Sequence, residues 1–158
     1  MRRSNRSAYV RLGAVLVLIV LAGVVTVGAI ATPAPPKRPP TAAEAGTTLR
    51  EHILKLLDKV SSEPARITDP GGRDIPCGDG NVMRTFAATA ADNSGERSPH
   101  TLNAMMLGTL SGFADYDMTD PGGLEYNLAS ESYRTSLYLK SSEHGYAVSG
   151  QTDCLSRS

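Results

Sequence analysis

The sequence predicts an α+β domain that follows an N-terminal apolar segment. The domain is expected to be a two-layer sandwich, with two helices on one face of a four-stranded, mainly antiparallel sheet. An uncharged run stands near the N-terminus, and it is followed by two stretches with helical spacing of apolar residues and four with alternation. Each helix then has one apolar stripe and each strand one apolar face, which two packed layers bury together. The predicted order along the domain is α-β-α-β-β-β.

The apolar run at 12–32 predicts a transmembrane helix. Its 21 residues carry no charge, and at about 1.5 Å per residue they match a bilayer core of about 30 Å. Four arginines precede it, so residues 1–11 are expected to be a cytoplasmic tail and the later chain to lie outside. The alternative is a signal peptide cleaved after Ala31, where small residues alternate. The chain is therefore predicted to be a single-pass protein of the plasma membrane or, if the segment is cleaved, a secreted protein.

A proline-rich linker is predicted at 33–41. Five of the eight residues in PAPPKRPP (33–40) are proline, which fixes φ and removes the amide donor, so extended polyproline II is expected. A spacer is favoured over a ligand for proline-binding modules because the stretch directly follows a membrane segment. The remaining residues, 42–158, are predicted to be one extracytoplasmic domain.

Two helices are predicted within this domain. Thr41 and Glu44 form a capping-box pattern before a helix at 42–61. Its apolar stripe consists of Leu49, Ile53, Leu56, Leu57 and Val60. Ser98 and Pro99 suit the N-cap and the first position of a second helix. Its apolar face consists of Leu102, Met105, Met106, Leu110 and Phe113, and both methionines are interpreted as core residues.

Four strands are predicted from alternating apolar residues, at 81–90, 124–129, 133–140 and 145–152. Short connections between the last three indicate antiparallel pairing. A loop rich in turn residues is expected at 68–81. It contains the pentapeptide TDPGG, which recurs at 119–123. We interpret the recurrence as one turn chemistry used twice, because no similarity extends beyond it.

The charge of the domain disfavours nucleic acid as a partner. Residues 41–158 contain ten basic and sixteen acidic residues, a formal charge of −6, whereas residues 1–40 contain six basic residues and no acid. An acidic domain without a basic cluster repels phosphate backbones.

The two cysteines, Cys77 and Cys154, are predicted to form a disulfide. Both follow the apolar run, in a compartment expected to be oxidising, and two cysteines allow one intramolecular pairing. If the first and last predicted strands are neighbours, the bond staples one edge of the sheet. Closing this loop would contribute at most about 4 kcal/mol. A catalytic thiol or redox pair is disfavoured, because there is no C-x-x-C and no histidine beside either cysteine.

No pattern predicts a catalytic, cofactor or metal site. The acidic loop at 115–120 fails the EF-hand frame, because the glycine and the final glutamate do not both fall into place. His52, His100 and His144 share no metal-ligand spacing and are predicted at the surface. The sequence has no G-x-S-x-G elbow, P-loop or G-x-G-x-x-G. We therefore expect no enzyme and no cofactor, and a hydrolase is the least favoured alternative.

In layout, the chain resembles small uncharacterised exported proteins and lipoproteins of actinobacteria. The resemblance is carried by the basic start, the apolar segment, the proline-rich spacer, CGDG at 77–80 and TDCL at 152–155. The chain differs from the lipoproteins because no lipobox cysteine ends its apolar segment. The resemblance implies location and fold more than activity.

The function predicted from these features is that of a membrane-anchored, non-enzymatic domain that binds another cell-envelope protein. The anchor, the spacer and the lack of a catalytic motif carry this prediction. The alternative is an exported protein that binds a small ligand or lipid in a pocket between helices and sheet.

Overall fold

A computed structural model describes residues 38–120 and 125–157. The predicted cytoplasmic tail (1–11), the predicted transmembrane helix (12–32) and residues 33–37 of the linker lie outside these ranges. Within them, no helix is both long enough and apolar enough to cross a membrane.

Helix α1 (Ala42–Val60) begins with the predicted capping box. The Thr41 hydroxyl accepts a hydrogen bond from the Glu44 amide at 3.3 Å, and the Glu44 carboxylate accepts one from the Thr41 amide at 2.9 Å. Helix α2 (Pro99–Leu110) begins after Ser98, its predicted N-cap. In α2, Met106 is fully buried but Met105 is 37% exposed. The interpretation of both methionines as core was therefore wrong for Met105, which lies beside the buried stripe.

Eight strands are present in the described residues. They are β1 (Arg66–Asp69), β2 (Ile75–Gly78), β3 (Asn81–Met83), β4 (Thr85–Ala91), β5 (Asp117–Asp120), β6 (Tyr126–Ser130), β7 (Thr135–Leu139) and β8 (Gly145–Thr152). Six of them form an antiparallel sheet in the order β1-β4-β8-β7-β6-β5, and β2 and β3 form a separate two-stranded sheet.

The predicted four-stranded sheet was therefore wrong. Strands β1 and β5 form the two edges of the large sheet, and each has four largely exposed residues, so neither shows an apolar alternation. Strand β2 lies in the predicted loop at 68–81 and is exposed throughout. The predicted strand at 81–90 is two strands, because the chain leaves the small sheet at Arg84, whose amide donates to the Thr152 hydroxyl at 3.0 Å.

The helices pack on one face of the large sheet and bury the main core. Leu49, Ile53 and Leu56 of α1 lie against alternate residues of the central strands, such as Phe86. Gly150 permits this close packing, because a Cβ there would lie 2.7 Å from Leu49 Cδ1 and 2.6 Å from the Ser136 carbonyl oxygen. Apart from Tyr138, the intervening residues of the four central strands are small or polar and form the opposite face.

The predicted disulfide between Cys77 and Cys154 is present. It does not staple an edge of the six-stranded sheet, as expected, but joins β2 of the small sheet to the segment after β8. Beside it lies a second buried cluster, formed by Ala42, Ala45, Val82 and Leu155.

Candidate functional site

The candidate site is a group of polar and aromatic side chains around His52, which we call the His52 cluster. Helix α1 supplies His52, and the segment between α2 and β5 supplies Phe113 and Tyr116. The turn before β7 supplies Tyr133, and β7 begins with Thr135. The cluster therefore joins the middle of α1 to the half of the sheet farther from β1.

A chain of two hydrogen bonds runs through the cluster. His52 Nδ1 lies 3.1 Å from the Tyr116 hydroxyl, which lies 2.8 Å from the Thr135 hydroxyl. Thr135 is 1% exposed and would otherwise be an unpaired polar group in the core. The chain thus satisfies a buried hydroxyl and connects it to a half-buried imidazole.

Three aromatic rings pack around the imidazole. The His52 ring centroid lies 4.6 Å from that of Tyr133, 5.8 Å from that of Tyr116 and 6.1 Å from that of Phe113, each in an edge-to-face arrangement. Lys55 Nζ lies 4.4 Å from the Phe113 ring centroid, within the range of a cation–π contact. The cation on the Phe113 ring is therefore the Lys55 side chain of this same protein and not a ligand.

Burial shifts the pKa values of both titratable partners towards their neutral forms. It lowers the pKa of His52; the Lys55 charge lowers it further, and the Glu51 charge opposes this. Burial also raises the pKa of Tyr116 to about 12, although the hydrogen bond with Thr135 acts in the opposite direction. Both groups are then uncharged at neutral pH. The cluster is thus a neutral hydrogen-bonded chain, because Tyr116 is harder to ionise than a free tyrosine and is not an activated nucleophile.

The other histidines and the acidic loop lie elsewhere. His100 Nε2 is 3.1 Å from the Tyr126 hydroxyl, and His144 is exposed in the turn before β8. Asp117 lies in β5, opposite Ala129. Within residues 38–120 and 125–157, no group of three or more histidine, cysteine, aspartate or glutamate residues could hold a metal ion.

The prediction that His52 lies at the surface was wrong, because the side chain is half-buried. A signal was available. His52 follows Leu49 by three residues and precedes Leu56 by four, and both leucines are fully buried, so helical spacing places it on the same side of α1. Its partners could not be found in this way, because they come from distant parts of the chain.

The space between helices and sheet, where a ligand pocket was considered, is filled by side chains of the main core. A groove of about 720 Å³ lies beside it, between α1 and β1, and it is open to solvent. Apolar Leu54, Ala65 and Ile67 line it together with charged Lys55, Asp58 and Glu63.

No protein-family model matches this chain, and neither does any curated protein. Among solved structures, it is similar to the crystal structure of a DUF4853 family protein from Actinomyces odontolyticus ATCC 17982. The TM-score is 0.50 and the identity 15%, and the match covers 78% of this chain and 73% of that one. This likeness shows the fold alone. The expected similarity to uncharacterised actinobacterial proteins is confirmed to that extent.

Proposed function

We propose that this chain is an exported, non-enzymatic domain that binds another cell-envelope protein through the open face of its six-stranded sheet. The observation that carries the proposal is the composition of that face. Tyr138 is its one large side chain in the described residues of the four central strands, and it is 36% exposed. Interface centres are enriched in tyrosine, which buries much area and loses little conformational entropy.

The strand register places Tyr138 within a flat surface. It lies opposite Ser149 on β8 and Asn127 on β6, and Ser149 lies opposite Ala87 on β4. The next row on this face is formed by Thr85, Gln151, Ser136 and Ala129. Small side chains on both sides of a single tyrosine leave these two rows flat, which fits a folded partner better than a small molecule. A groove of about 560 Å³ that is open to solvent lies next to them, beside Arg66, Thr89 and Ala147.

The edges of the sheet are poor sites for a partner strand. Strand β1 lies between Pro64 and Pro70, and its register shifts between Ile67 and Asp69. Strand β5 is equally short and has a similar shift next to Asp120. Short, irregular edges flanked by proline or charge resist strand addition. Binding through the face is therefore favoured over binding at an edge.

Charge indicates the chemistry of the partner. Asp69, Asp117 and Asp120 occupy the outer ends of these two rows, and Arg66 ends the row of Thr89 and Ala147 on the same face. The pKa of Asp69 is lowered by hydrogen bonds from the Thr85 hydroxyl and the Gly71 amide, so its carboxylate remains ionised. Three carboxylates against one guanidinium at the rim, on a domain with net negative charge, favour a partner with a basic surface.

Three features support export of the domain. The apolar segment at 12–32 precedes it, a proline-rich linker separates the two, and the disulfide suits an oxidising compartment. Thiol labelling of the chain from intact cells without reductant should find neither cysteine free. Recovery of residues 41–158 in the cytosol with both cysteines reduced would contradict the proposed location.

The binding surface can be tested by photo-crosslinking of the full chain in the cells that make it. A photoreactive phenylalanine analogue at position 138 should give one protein adduct, whereas the same analogue at exposed Lys59 on α1 should give none. Ser149→Arg should reduce the adduct at least tenfold, because it adds bulk and positive charge beside Tyr138. Lys59→Glu serves as the matched control and should leave the adduct unchanged. Equal adducts at both positions, or none at position 138, would refute the surface.

A further inference from the structure

The small sheet and the C-terminal segment form a unit with little apolar contact to the rest of the domain. We call it the disulfide unit and define it as residues 75–83 and 153–157. Every residue of β2 is exposed, and in β3 only Val82 is fully buried. The buried cluster that joins this unit to α1 contains four residues and shares none with the sixteen-residue main core.

Hydrogen bonds and exposed ion pairs join the two segments of the disulfide unit to each other and to the rest of the domain. Within the unit, Val82 and Leu155 exchange two backbone hydrogen bonds of 2.9 and 3.0 Å. Towards the rest of the domain, the Ala42 amide donates to the Ser156 carbonyl at 2.8 Å, and the Asp153 amide donates to the Arg134 carbonyl at 2.8 Å. Arg134 Nε also lies 2.6 Å from the Asp153 carboxylate, in an exposed ion pair. The Asp74 carboxylate lies 2.8 Å from Arg84 Nε and 3.1 Å from Arg157 Nε. Arg157 is largely exposed, so water and salt weaken its ion pair. The disulfide is therefore the principal tie between β2 and the C-terminal segment.

Both cysteines of this bond are exposed. An attacking thiolate must reach one sulfur along the axis of the disulfide, which buried bonds prevent and exposed bonds allow. The bond also joins two segments that lie outside the six-stranded sheet. Breaking it consequently removes a constraint on these segments without removing a strand from the sheet.

We propose that Cys77–Cys154 is a thiol–disulfide exchange site, and that its reduction by a protein dithiol lets the two segments of the disulfide unit separate and detach from α1 while the six-stranded sheet remains folded. One thiolate of the dithiol attacks one sulfur and forms a mixed disulfide, and the other cysteine leaves as a thiolate that takes up a proton. The second thiol of the dithiol then resolves the mixed disulfide. The domain gains two electrons and two protons, and the dithiol is oxidised to a disulfide.

Detachment would change the start of α1, where the linker enters the domain. The Ala42 amide would lose the Ser156 carbonyl as its acceptor, and the buried faces of Ala42 and Ala45 would become exposed. The main core lies further along the helix, from Leu49 onwards, and contains neither cysteine. The redox state of the bond would thus control the first turn of α1 and not the fold as a whole.

Hydrogen exchange of the purified full chain, with dithiothreitol as the dithiol, tests this proposal. Reduction without denaturant should lower the protection of the Ala42, Val82 and Leu155 amides at least tenfold. The amides of 146–150 in β8 should change less than twofold, and reoxidation should restore the original pattern. The Cys77→Ser/Cys154→Ser variant should reproduce the reduced state.

Three results would overturn the proposal. Loss of protection in β8 together with the disulfide unit would show that the bond holds the whole fold. Unchanged protection of Val82 and Leu155 after reduction would show that the unit does not detach. A bond that dithiothreitol reduces only in denaturant would not be an accessible exchange site.

Discussion

The two halves of helix α1 are held by different means. Its first turns contact the disulfide unit through a four-residue buried cluster and the hydrogen bond from the Ala42 amide to the Ser156 carbonyl, and a disulfide closes that unit. From Leu49 onwards, the helix lies on the main core, which also accommodates the hydrogen-bonded chain from His52 to Thr135. A region that buries little apolar surface needs covalent and ionic ties, whereas a large core tolerates polar groups that are hydrogen-bonded.

Gly46 marks the change from one half to the other. The Arg84 side chain crosses the helix there on its way to Asp74, and a Cβ at position 46 would lie 3.1 Å from Arg84 Cδ. A glycine in the middle of a helix costs about 1 kcal/mol relative to alanine. The close approach explains why a residue without a side chain occupies this position.

The largest expected effect is on the free energy of unfolding, and it tests whether the two halves of α1 contribute unequally to stability. Leu49→Ala should lower the free energy of unfolding by about 2–5 kcal/mol, because it leaves a cavity in the main core against Gly150. Leu155→Ala is the matched control in the small cluster and should lower it less, with the change confined to exchange in the disulfide unit. Denaturant unfolding measures both. Equal losses would show that the two clusters form one cooperative core.

The sequence was most informative where a pattern is local. The capping box at Thr41 and the apolar stripe from Leu49 define α1, and the alternation at 145–152 defines β8. The compartment argument also paired Cys77 with Cys154. It could not place that bond, because the position depends on β2, whose residues are all exposed and carry no periodic signal.

The edges of the sheet and the His52 cluster depend on distant contacts. Strands β1 and β5 have four residues each, and their register is set by their neighbours in the sheet and not by their own apolar pattern. His52 and Tyr116 are 64 residues apart in the chain. Local spacing could place His52 beside the buried stripe, but only the topology brings Tyr116 to it.

A smaller effect tests whether the polar chain in the main core contributes to stability. Tyr116→Phe should lower the free energy of unfolding by about 1 kcal/mol, because it removes the shared partner of His52 and Thr135. Tyr138→Phe on the open face is the matched control and should change it little, because the Tyr138 side chain is exposed. If the two variants were equally stable, the chain from His52 to Thr135 would make no net contribution.

The pH dependence of stability tests the same region through His52. Its pKa in the folded state lies below the ordinary value of 6.5. Above pH 6.5 the imidazole is neutral in both the folded and the unfolded state, so its protonation does not reduce the free energy of unfolding. As the pH falls from 6.5 towards the pKa of His52 in the folded state, the unfolded state binds a proton there and the folded state does not. The free energy of unfolding therefore decreases over this range. Wild type should therefore lose more stability between pH 7 and 5 than His52→Gln. Identical pH slopes would contradict the shift.

The smallest effect concerns the exposed start of α1. Hydrogen bonds from Arg38 and from the Thr41 amide lower the pKa of Glu44 to about 2. Ionised Glu44 therefore stabilises the folded state above its ordinary pKa of 4.5. This stabilisation is lost as the pH falls from 4.5 to about 2, where the folded state also binds the proton. Solvent screens these exposed contacts, so at pH 7 Glu44→Gln should have less effect on stability than Tyr116→Phe.

Coupling between the capping box and the disulfide unit needs a variant that removes the box, Glu44→Ala, because glutamine would still accept from the Thr41 amide. While the Ser156 carbonyl holds the Ala42 amide, the first turn of α1 is fixed with or without the capping box. Glu44→Ala should therefore increase exchange of the Ala45 amide more in the Cys77→Ser/Cys154→Ser background than in wild type, as a double-mutant cycle would measure. Equal increases in both backgrounds would mean that the capping box and the disulfide unit act on the first turn independently. The first half of α1 would then be held by separate contacts that do not cooperate.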